Sequence, residues 1–223
     1  MLVSAVCPTA DRLAFMPGLV LCFLSQTFRD SELVILDDGR IPCYSVIPDH
    51  SRIHYEYGQP GTWATLGEKR NVVNAYARGE IICNFDSDDW YSSEYITKQV
   101  DLLLSSGKSV VGYSDLLYYR MKDGGTFHYK YRGNGNYASG ATQLYWRDYW
   151  EQNPYPAAIG TGEDSAFSMC AEKKGVLCSV ASRGNIVVRS HDSNTGKHTL
   201  GSHDFPRVDR AEFPQAFFDA EAL

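Results

Sequence analysis

Two apolar runs that each end in clustered acids are the feature of this sequence that most constrains its fold. The run at residues 81–85 ends directly in the acidic cluster 86–89, which holds three carboxylates in four residues, and the run at 33–36 ends in paired aspartates at 37–38. Short uninterrupted apolar runs are typical of strands in a parallel sheet. Ligands of open α/β sheets bind at the carboxyl ends of such strands. The pattern therefore predicts that acids from two strands meet at one site.

The acidic cluster also predicts a bound cation. Like charges a few Å apart repel unless a cation or a shared proton neutralises them. Acids after a strand can instead cap a helix or face solvent, and the spacing alone does not separate these readings. The second acidic strand end, at residues 37–38, favours a shared divalent metal site.

The order of the remaining elements predicts the fold class. In the first half, apolar runs alternate with helical periodicity, as expected of a parallel sheet. The predicted strands are 2–6, 33–36, 53–57, 80–85 and 109–113, and the predicted helices begin near Pro17, Leu66 and a cap at Ser92 or Ser93. In the second half, two β-rich runs flank a Lys-Asp-Gly-Gly turn, which predicts an antiparallel hairpin. The later elements are a helix over 165–174 and strands at 177–180 and 186–188. We therefore expect an α/β fold with a mixed, mainly parallel sheet and an antiparallel addition in the C-terminal half.

Composition narrows the class of protein. A length of 223 residues with 43% hydrophobic content suits one globular domain. A net charge of -6 offers no basic footprint for nucleic acid, which disfavours a nucleic-acid acceptor without excluding it. The six cysteines form no C-x-x-C pair and are expected to be reduced. There is no basic leader and no apolar stretch of about 18 residues, so the expected location is cytoplasmic.

A series of short motifs resembles a known family. In order, they lie at residues 6–12, 25–28, 37–39, 70–80 and 86–89. This series resembles the nucleotide-binding half of inverting family 2 glycosyltransferases with the GT-A fold. The likeness continues with Gly162-Glu163-Asp164 and with His191, and it covers roughly residues 1–191.

The resemblance implies a domain division. Residues 1–191 would form a single GT-A domain, with a nucleotide-sugar-binding half at 1–115 and an acceptor and catalytic half at 116–191. Residues 192–223 would form a mobile loop and a tail. We expect the loop at 192–204 to fold over the donor phosphates. The tail at 211–223 places Phe213, Ala216, Phe217, Ala220 and Leu223 near one helical face, which predicts docking on the protein itself or on a partner.

The resemblance also implies a donor site for a UDP-sugar. Asp38 would accept a hydrogen bond from uracil N3–H, and Thr9, Asp11, Arg12 and Arg70 would be further donor contacts. The chain departs from the family at residue 10, an alanine where an aromatic ring often stacks on the base. Tyr44 or Tyr57 could substitute for that ring. The donor base is therefore less firmly implied than the donor class.

The acidic cluster resembles the D-x-D motif, which implies a metal bridging the donor phosphates. Asp88 would be the first ligand, Asp86 would face the ribose and the metal, and Asp89 is a further candidate. His191 would be an imidazole ligand by the same resemblance. Carboxylate and phosphate oxygens suit Mg²⁺ or Mn²⁺, and an imidazole favours Mn²⁺.

The resemblance assigns Asp164 as the catalytic base of a single displacement with inversion. Such a transfer needs one group to take the proton of the acceptor hydroxyl. An aspartate at this place can instead cap a helix, as can Thr161. Ser139 and Gly140 would present a small-residue turn to the donor sugar.

Several alternatives stay open at this point. The acceptor can be a glycan, a lipid-linked sugar, a protein or a hydroxylated nucleobase. A homodimer is also open. A catalytically silent nucleotide-sugar-binding scaffold would share the fold, although none of its expected acids is missing here. A nucleotidyltransferase would also use strand-end acids and a metal, but the glycine-rich basic loop expected after its first strand is absent.

Overall fold

Seven strands form the central sheet in the computed structural model, which describes residues 1–194, 196 and 198–222. In spatial order they are β10 (Leu177–Val180), β6 (Val110–Tyr113), β9 (Leu144–Trp146), β4 (Ile81–Asn84), β1 (Val3–Thr9), β2 (Ser31–Asp37) and β3 (Ile53–Tyr57). All neighbouring pairs are parallel except those of β9, which runs antiparallel to β4 and β6. The predicted mixed, mainly parallel sheet is confirmed. The sequence did not reveal β9, because three residues are too few to show a period.

The central strands are buried because helices cover both faces of the sheet. Every residue of β2 and β4 is buried. Alternate residues of β1 enter two different core clusters: Val3 and Ala5 belong to one, and Val6 belongs to the other. The helices α1 (Met16–Leu24) and α3 (Tyr95–Ser106) pack in the first cluster. The helices α2 (Leu66–Tyr76), α4 (Arg147–Gln152) and α5 (Glu163–Lys173) pack in the second. All six cysteines are free, as predicted.

A second sheet of four strands carries the predicted hairpin. Its order is β5 (Trp90–Tyr91), β11 (Ile186–Ser190), β7 (Asp115–Arg120) and β8 (Gly125–Lys130). The hairpin β7–β8 is antiparallel, as expected, and it belongs to this separate sheet rather than to an edge of the central one. Because β5 directly follows the acidic cluster and pairs with β11, the second sheet holds one end of that cluster in place.

The tail docks on the protein itself, which is one of the two outcomes predicted for it. Its helix α6 (Gln215–Glu221) buries Phe217 and Phe218. The ring of Phe217 lies 6.0 Å from that of Trp90 and 5.1 Å from that of Tyr119, measured between centroids. Ala216, predicted on the buried face, is exposed. The helix begins only after Pro214, and Phe217 and Phe218 rather than Ala216 occupy its buried face. Leu223, also placed on that face, lies outside the described residues.

The start of α3 differs from its prediction. Neither Ser92 nor Ser93 caps this helix, which begins after Glu94 without a side-chain cap. The Ser92 hydroxyl instead donates to Asn185 Oδ1 at 3.2 Å, so tertiary pairing takes the group that a local cap would have used. No helix within the described part of the chain is long and apolar enough to cross a membrane.

Candidate active site

The acidic strand ends lie side by side. The strand β1 runs between β2 and β4, and its register places Thr9 opposite Asp37. The predicted meeting of these strand ends at one edge is therefore confirmed. A cleft of about 850 Å³ opens there, between the central sheet, α2, the start of α5 and the second sheet. The predicted site residues that line it are Thr9, Arg12, Asp38, Arg70, Asp86, Asp88, Asp89, Ser139, Gly140 and Asp164.

Of the paired aspartates that end β2, Asp37 has a structural role. Its side chain is fully buried and accepts hydrogen bonds from the backbone N–H groups of Gly39 at 2.8 Å and Cys43 at 3.0 Å. The hydroxyl of Tyr55 donates a third at 2.7 Å. A carboxylate with three donors is well satisfied without a ligand. Asp37 thus organises the turn and leaves Asp38 as the group that faces the cleft.

Asp38 is paired with Lys69, a residue that the sequence did not single out. The Lys69 ammonium donates to the Asp38 carboxylate and to the Thr9 carbonyl, and it lies 5.5 Å from the ring centroid of Trp63. The side chains of Asp38 and Lys69 are only 10% and 7% exposed. Lys69 precedes the buried Val73 by four residues, so both face inward on α2. A lysine on the inward face of a helix is the signal that could have identified it.

Arg70 links the acidic cluster to the start of α5. Its guanidinium is 4% exposed, with Nε 3.1 Å from Glu163 Oε1 and Nη2 3.6 Å from Asp86 Oδ1. Burial opposes its charge, but the neighbouring carboxylates Asp86, Glu163 and Asp164 raise the pKa of Arg70 above its usual range. Its Nη1 is buried without a hydrogen-bond partner among the described residues. Arg70 therefore lies in the cleft wall as a bridging cation, next to the candidate base.

The three carboxylates of the acidic cluster differ in their pKa. Burial raises the pKa of Asp86 to about 6. Burial and the charges of Asp88 and Asp86 raise the pKa of Asp89 well above its usual range. Burial would also raise that of Asp88, but a hydrogen bond from His191 and the charge of Arg12 hold its pKa below the ordinary value. Asp88 is thus the carboxylate of the cluster that ionises most readily and the one best suited to bind a cation.

Asp88 and His191 are in direct contact. The Oδ2 atom of Asp88 lies 2.9 Å from His191 Nε2, 3.2 Å from Arg12 Nε and 3.3 Å from Asn194 Nδ2. The other ring nitrogen of His191, Nδ1, lies 2.9 Å from the Ser193 hydroxyl, a contact that orients the imidazole. His191 does not itself line the cleft. Arg12, which was predicted to contact the sugar donor, lies on this side of the cleft.

The residues present fit a divalent metal for which phosphate oxygens of a bound molecule and water would supply the remaining ligands. Among the described residues, no three His, Cys, Asp or Glu side chains are arranged around one metal position. The available donors are the carboxylate of Asp88 and the imidazole of His191, with Asp86 on the same loop. Mg²⁺ and Mn²⁺ are often held by one or two protein ligands, with phosphate oxygens and water completing the shell. Asp89 fits less well, because its Oδ1 accepts a hydrogen bond from Arg189 N at 3.1 Å.

Asp164 lies in the first turn of α5 and is not its cap. The N-cap is Gly162, whose φ of 85° requires glycine, and no side-chain cap forms there, so Thr161 does not cap the helix either. The Asp164 Oδ1 atom accepts a hydrogen bond from the N–H of Ser165 at 2.7 Å. The capping alternative for Asp164 is therefore wrong, and its carboxylate lines the cleft.

The turn at Ser139 and Gly140 makes room for Asp164. A Cβ added to Gly140 would lie 2.7 Å from Asp164 Cγ and 2.8 Å from Asp164 Cβ, and closer still to Oδ2. The turn is held from behind, because the Gly140 carbonyl accepts from Asn84 Nδ2 at 2.8 Å and the Ser139 N–H donates to the Tyr113 carbonyl at 3.0 Å. The small-residue turn thus sets the position of the candidate base.

Asp11 does not lie where its predicted role needs it. Its side chain is 43% exposed and does not line the cleft. It accepts hydrogen bonds from the backbone N–H of Arg40 at 2.9 Å and from Arg40 Nε at 3.1 Å. Asp11 has a φ of 55°, in the left-handed region, and Gly39 lies close to its backbone. Its carboxylate is turned to Arg40 and away from the cleft. A contact between Asp11 and the sugar donor therefore stays a prediction that its position does not support.

An aromatic residue other than those suggested by the sequence lines the cleft near Asp38. Tyr44 is 68% exposed and does not line the cleft. Tyr57 also lies outside it, and its hydroxyl donates to the Gly39 carbonyl at 3.1 Å. Trp63 does line the cleft, beside Lys69 and hence near Asp38. Trp63 could not be predicted from the sequence, because the loop that carries it has no periodic pattern.

The loop at 192–204 lies over the acidic cluster in its described part. The Ser193 carbonyl accepts from Arg12, and Asn194 contacts Asp88. His198 packs against the rings of Tyr118 and Phe205, 5.2 and 5.0 Å away between centroids, and burial lowers its pKa. Residues 195 and 197 lie outside the described part of the loop. Its movement over a donor stays a prediction.

Comparison with known proteins shows a family whose sequence model matches most of this chain. A sequence model described as glycosyl transferase family 2 matches residues 4–174. Comparison with curated proteins finds no significant match.

Solved structures share the fold. S. aureus TarS 1-349 in complex with UDP-GlcNAc is similar with a TM-score of 0.68 at 16% identity, over 87% of this chain and 60% of that one. The mannosyltransferase PcManGT from Pyrobaculum calidifontis, in complex with GDP-Man and Mn²⁺, gives 0.66 at 15% identity, over 87% and 58%. The S. aureus TarS structure without that truncation is covered to only 37%. The chain thus spans less than two thirds of the length of these structures.

Proposed function

Because the chain belongs to glycosyl transferase family 2 and has the GT-A fold, we propose that it transfers one sugar from a UDP-sugar to an acceptor hydroxyl with inversion at the anomeric carbon. The observation that carries this proposal is that one cleft is lined by both the Asp88 carboxylate, which lies 2.9 Å from His191 Nε2, and the Asp164 carboxylate. Those are the groups needed to hold a diphosphate and to deprotonate an acceptor. The acceptor class is not part of this proposal.

The nucleoside end of the donor would lie between β2 and α2. Asp38 would accept from uracil N3–H while its carboxylate stays paired with Lys69, and Thr9 lies directly beside them. Trp63 supplies the ring on which the base can stack. Stacking of a base on an aromatic side chain contributes about 1–3 kcal/mol. Two of the similar structures contain UDP or UDP-GlcNAc and a third contains GDP-Man, which supports a nucleotide diphosphate sugar as donor.

The diphosphate end would lie against the acidic cluster. Asp88 and His191 would hold Mn²⁺ or Mg²⁺, which supplies positive charge to the departing diphosphate. Arg12 contacts the same Asp88 oxygen as His191. It therefore keeps Asp88 paired when no metal is present and can turn to a phosphate oxygen when one is. Asp86, whose pKa is raised to about 6, lies beside Arg70 and can contact the ribose.

Asp164 would act as the base. In a single displacement, the acceptor oxygen forms a bond to the anomeric carbon as the bond from that carbon to the UDP oxygen breaks. The acceptor proton passes to Asp164, and the electron pair of the broken bond leaves with UDP. Gly140 leaves room for the Asp164 carboxylate in this position. Ser139 lies beside it in the same turn.

The proposal is tested first by donor hydrolysis. Purified protein with Mn²⁺ is incubated with a panel of nucleotide sugars without acceptor, and slow release of the nucleotide diphosphate is measured. We expect one UDP-sugar to be hydrolysed above the others. Thermal shift gives a second measurement, because a ligand that binds only the native state raises the melting temperature. Stabilisation by UDP with Mn²⁺ and no hydrolysis of any donor would favour the silent scaffold.

Two variants separate the proposed roles. Asp88→Asn should lose the Mn²⁺-dependent part of UDP binding. Asp164→Asn should keep UDP binding with Mn²⁺ and lose donor hydrolysis, because only proton transfer is removed. Equal loss of UDP binding in both variants would contradict this division of roles.

A further inference from the structure

The helix α6 is connected to the acidic cluster through one side chain, Arg189 of β11. Its Nη1 donates to the Asp88 carbonyl at 3.2 Å, and its backbone N–H donates to Asp89 Oδ1 at 3.1 Å. On the other side, its Nε and Nη2 donate to Glu221 Oε1 at 2.8 and 2.5 Å. A single guanidinium thus contacts both the backbone of the acidic cluster and a carboxylate of α6.

A second contact ties α6 to the same place. The indole of Trp90, the residue after the acidic cluster, meets the Phe217 ring edge-on at 6.0 Å. The Arg189 guanidinium lies 5.7 Å from the centroid of the same Phe217 ring. Phe217 is fully buried. The acidic cluster is therefore held from α6 by one apolar and one charged contact.

Partial burial strengthens the ion pair between Arg189 and Glu221. The side chains of Arg189 and Glu221 are 11% and 21% exposed. A partly buried pair is less screened than a surface pair, and removal of one partner leaves the other charge uncompensated. Without the charge of Glu221, the guanidinium would add net positive charge beside Asp88, where a divalent cation has to bind. The hydrogen bond to the Asp88 carbonyl would also lose its support.

We propose that Glu221 is a positioning residue for the metal site: through Arg189 it holds the backbone of Asp88 in place and balances the charge next to it. This inference rests on the proposed function in one respect, namely that a divalent metal binds beside Asp88. The residues Arg189, Phe217 and Glu221 lie beyond the family match, which ends at residue 174.

The test compares two variants of α6 that each remove one negative charge. Glu221→Gln removes the partner of Arg189. Asp219→Asn is the matched control, because Asp219 is exposed and, among the described residues, accepts from Gln215 at 2.8 Å in its own helix and does not contact Arg189. The Mn²⁺ affinity of each protein is measured by calorimetry in the presence of UDP, and UDP affinity is measured separately in EDTA. Loss of a residue that supports a metal ligand typically weakens metal affinity by about tenfold or more. We expect about tenfold for Glu221→Gln, no change for Asp219→Asn and unchanged UDP affinity in EDTA.

Amide hydrogen exchange provides a reading that needs neither metal nor donor. In the metal-free protein, Glu221→Gln should accelerate exchange in a peptide covering 86–91, and Asp219→Asn should not. Faster exchange combined with no UDP binding by the unmodified protein would refute the proposed function and leave the positioning role standing. Unchanged exchange in Glu221→Gln, or equal loss of Mn²⁺ affinity in both variants, would overturn the inference.

Discussion

Replacement of Gly140 by alanine would displace the candidate base without touching the donor contacts. A Cβ at this position would lie 2.7 Å from Asp164 Cγ, which is 0.7 Å short of an ordinary 3.4 Å contact. Rotation of the Asp164 side chain cannot relieve the overlap, because the added atom is also only 2.8 Å from Asp164 Cβ, whose position follows the backbone of α5. Either the turn at Gly140 or the first turn of α5 has to move.

The magnitude follows from that displacement. A misplacement of about 1 Å at a reacting group can reduce the rate about 100-fold. We expect Gly140→Ala to slow donor hydrolysis by about 10- to 100-fold and to lower the free energy of unfolding by about 1–3 kcal/mol, as overpacking does. The affinity for UDP with Mn²⁺ should be unchanged, since Asp38 and Asp88 are held by other elements.

Donor hydrolysis and UDP calorimetry together give the assay, and the chain supplies a matched control. Gly160 also lines the cleft, but a Cβ there meets nothing within 4 Å. Gly160→Ala should therefore keep the unmodified rate. A Gly140→Ala protein that hydrolyses donor at the unmodified rate would refute the assignment of Asp164 as base in the position described. A loss of UDP affinity equal to the loss of rate would show that the turn serves donor binding instead.

Three further predictions concern the cleft and its support. The folded pKa of Asp86 is about 6 against an ordinary 3.8, so the folded protein binds this proton more tightly and its ionisation destabilises the fold increasingly as pH rises from about 4 to 6. Asp86→Asn should therefore raise the free energy of unfolding of the metal-free protein by about 1–3 kcal/mol at pH 8 and by almost nothing at pH 4, measured by urea denaturation. Trp63→Ala should weaken UDP binding by about 1–3 kcal/mol in calorimetry, whereas Tyr44→Ala, which removes an exposed ring outside the cleft, should not. Thr65 caps α2 by accepting from Glu68 N at 3.1 Å, so Thr65→Ala should lower the free energy of unfolding by about 1 kcal/mol and Thr65→Ser should restore most of it.

The strand-end acids were predictable because parallel strands carry their ends to one edge. Once the runs at 33–36 and 81–85 are read as strands of one parallel sheet, the presence of Asp38 and Asp88 in one cleft follows from topology. The hairpin was predictable for a local reason, since its Gly-Gly turn lies between two β-rich runs. The short strand β9 was not, because it exists only where β4 and β6 leave a place for it.

The partners of the charged side chains could not be predicted from the sequence. Lys69 pairs with Asp38 across 31 residues, and Arg189 pairs with Glu221 across 32. Nothing in the local pattern joins these residues. The same limit explains the placement of Asp11, whose carboxylate pairs with Arg40, 29 residues along the chain.

The α/β architecture, the family and the edge at which the site lies could be predicted from the sequence, because each depends on periodicity, order and spacing along the chain. The order in which the three acids ionise, and the groups that hold them, depend on the tertiary structure. Asp86, Asp88 and Asp89 are neighbours in the chain, yet their pKa values differ because burial, His191 and Arg12 act on them unequally. Protonation depends on distance and desolvation, and both are set by how distant segments pack.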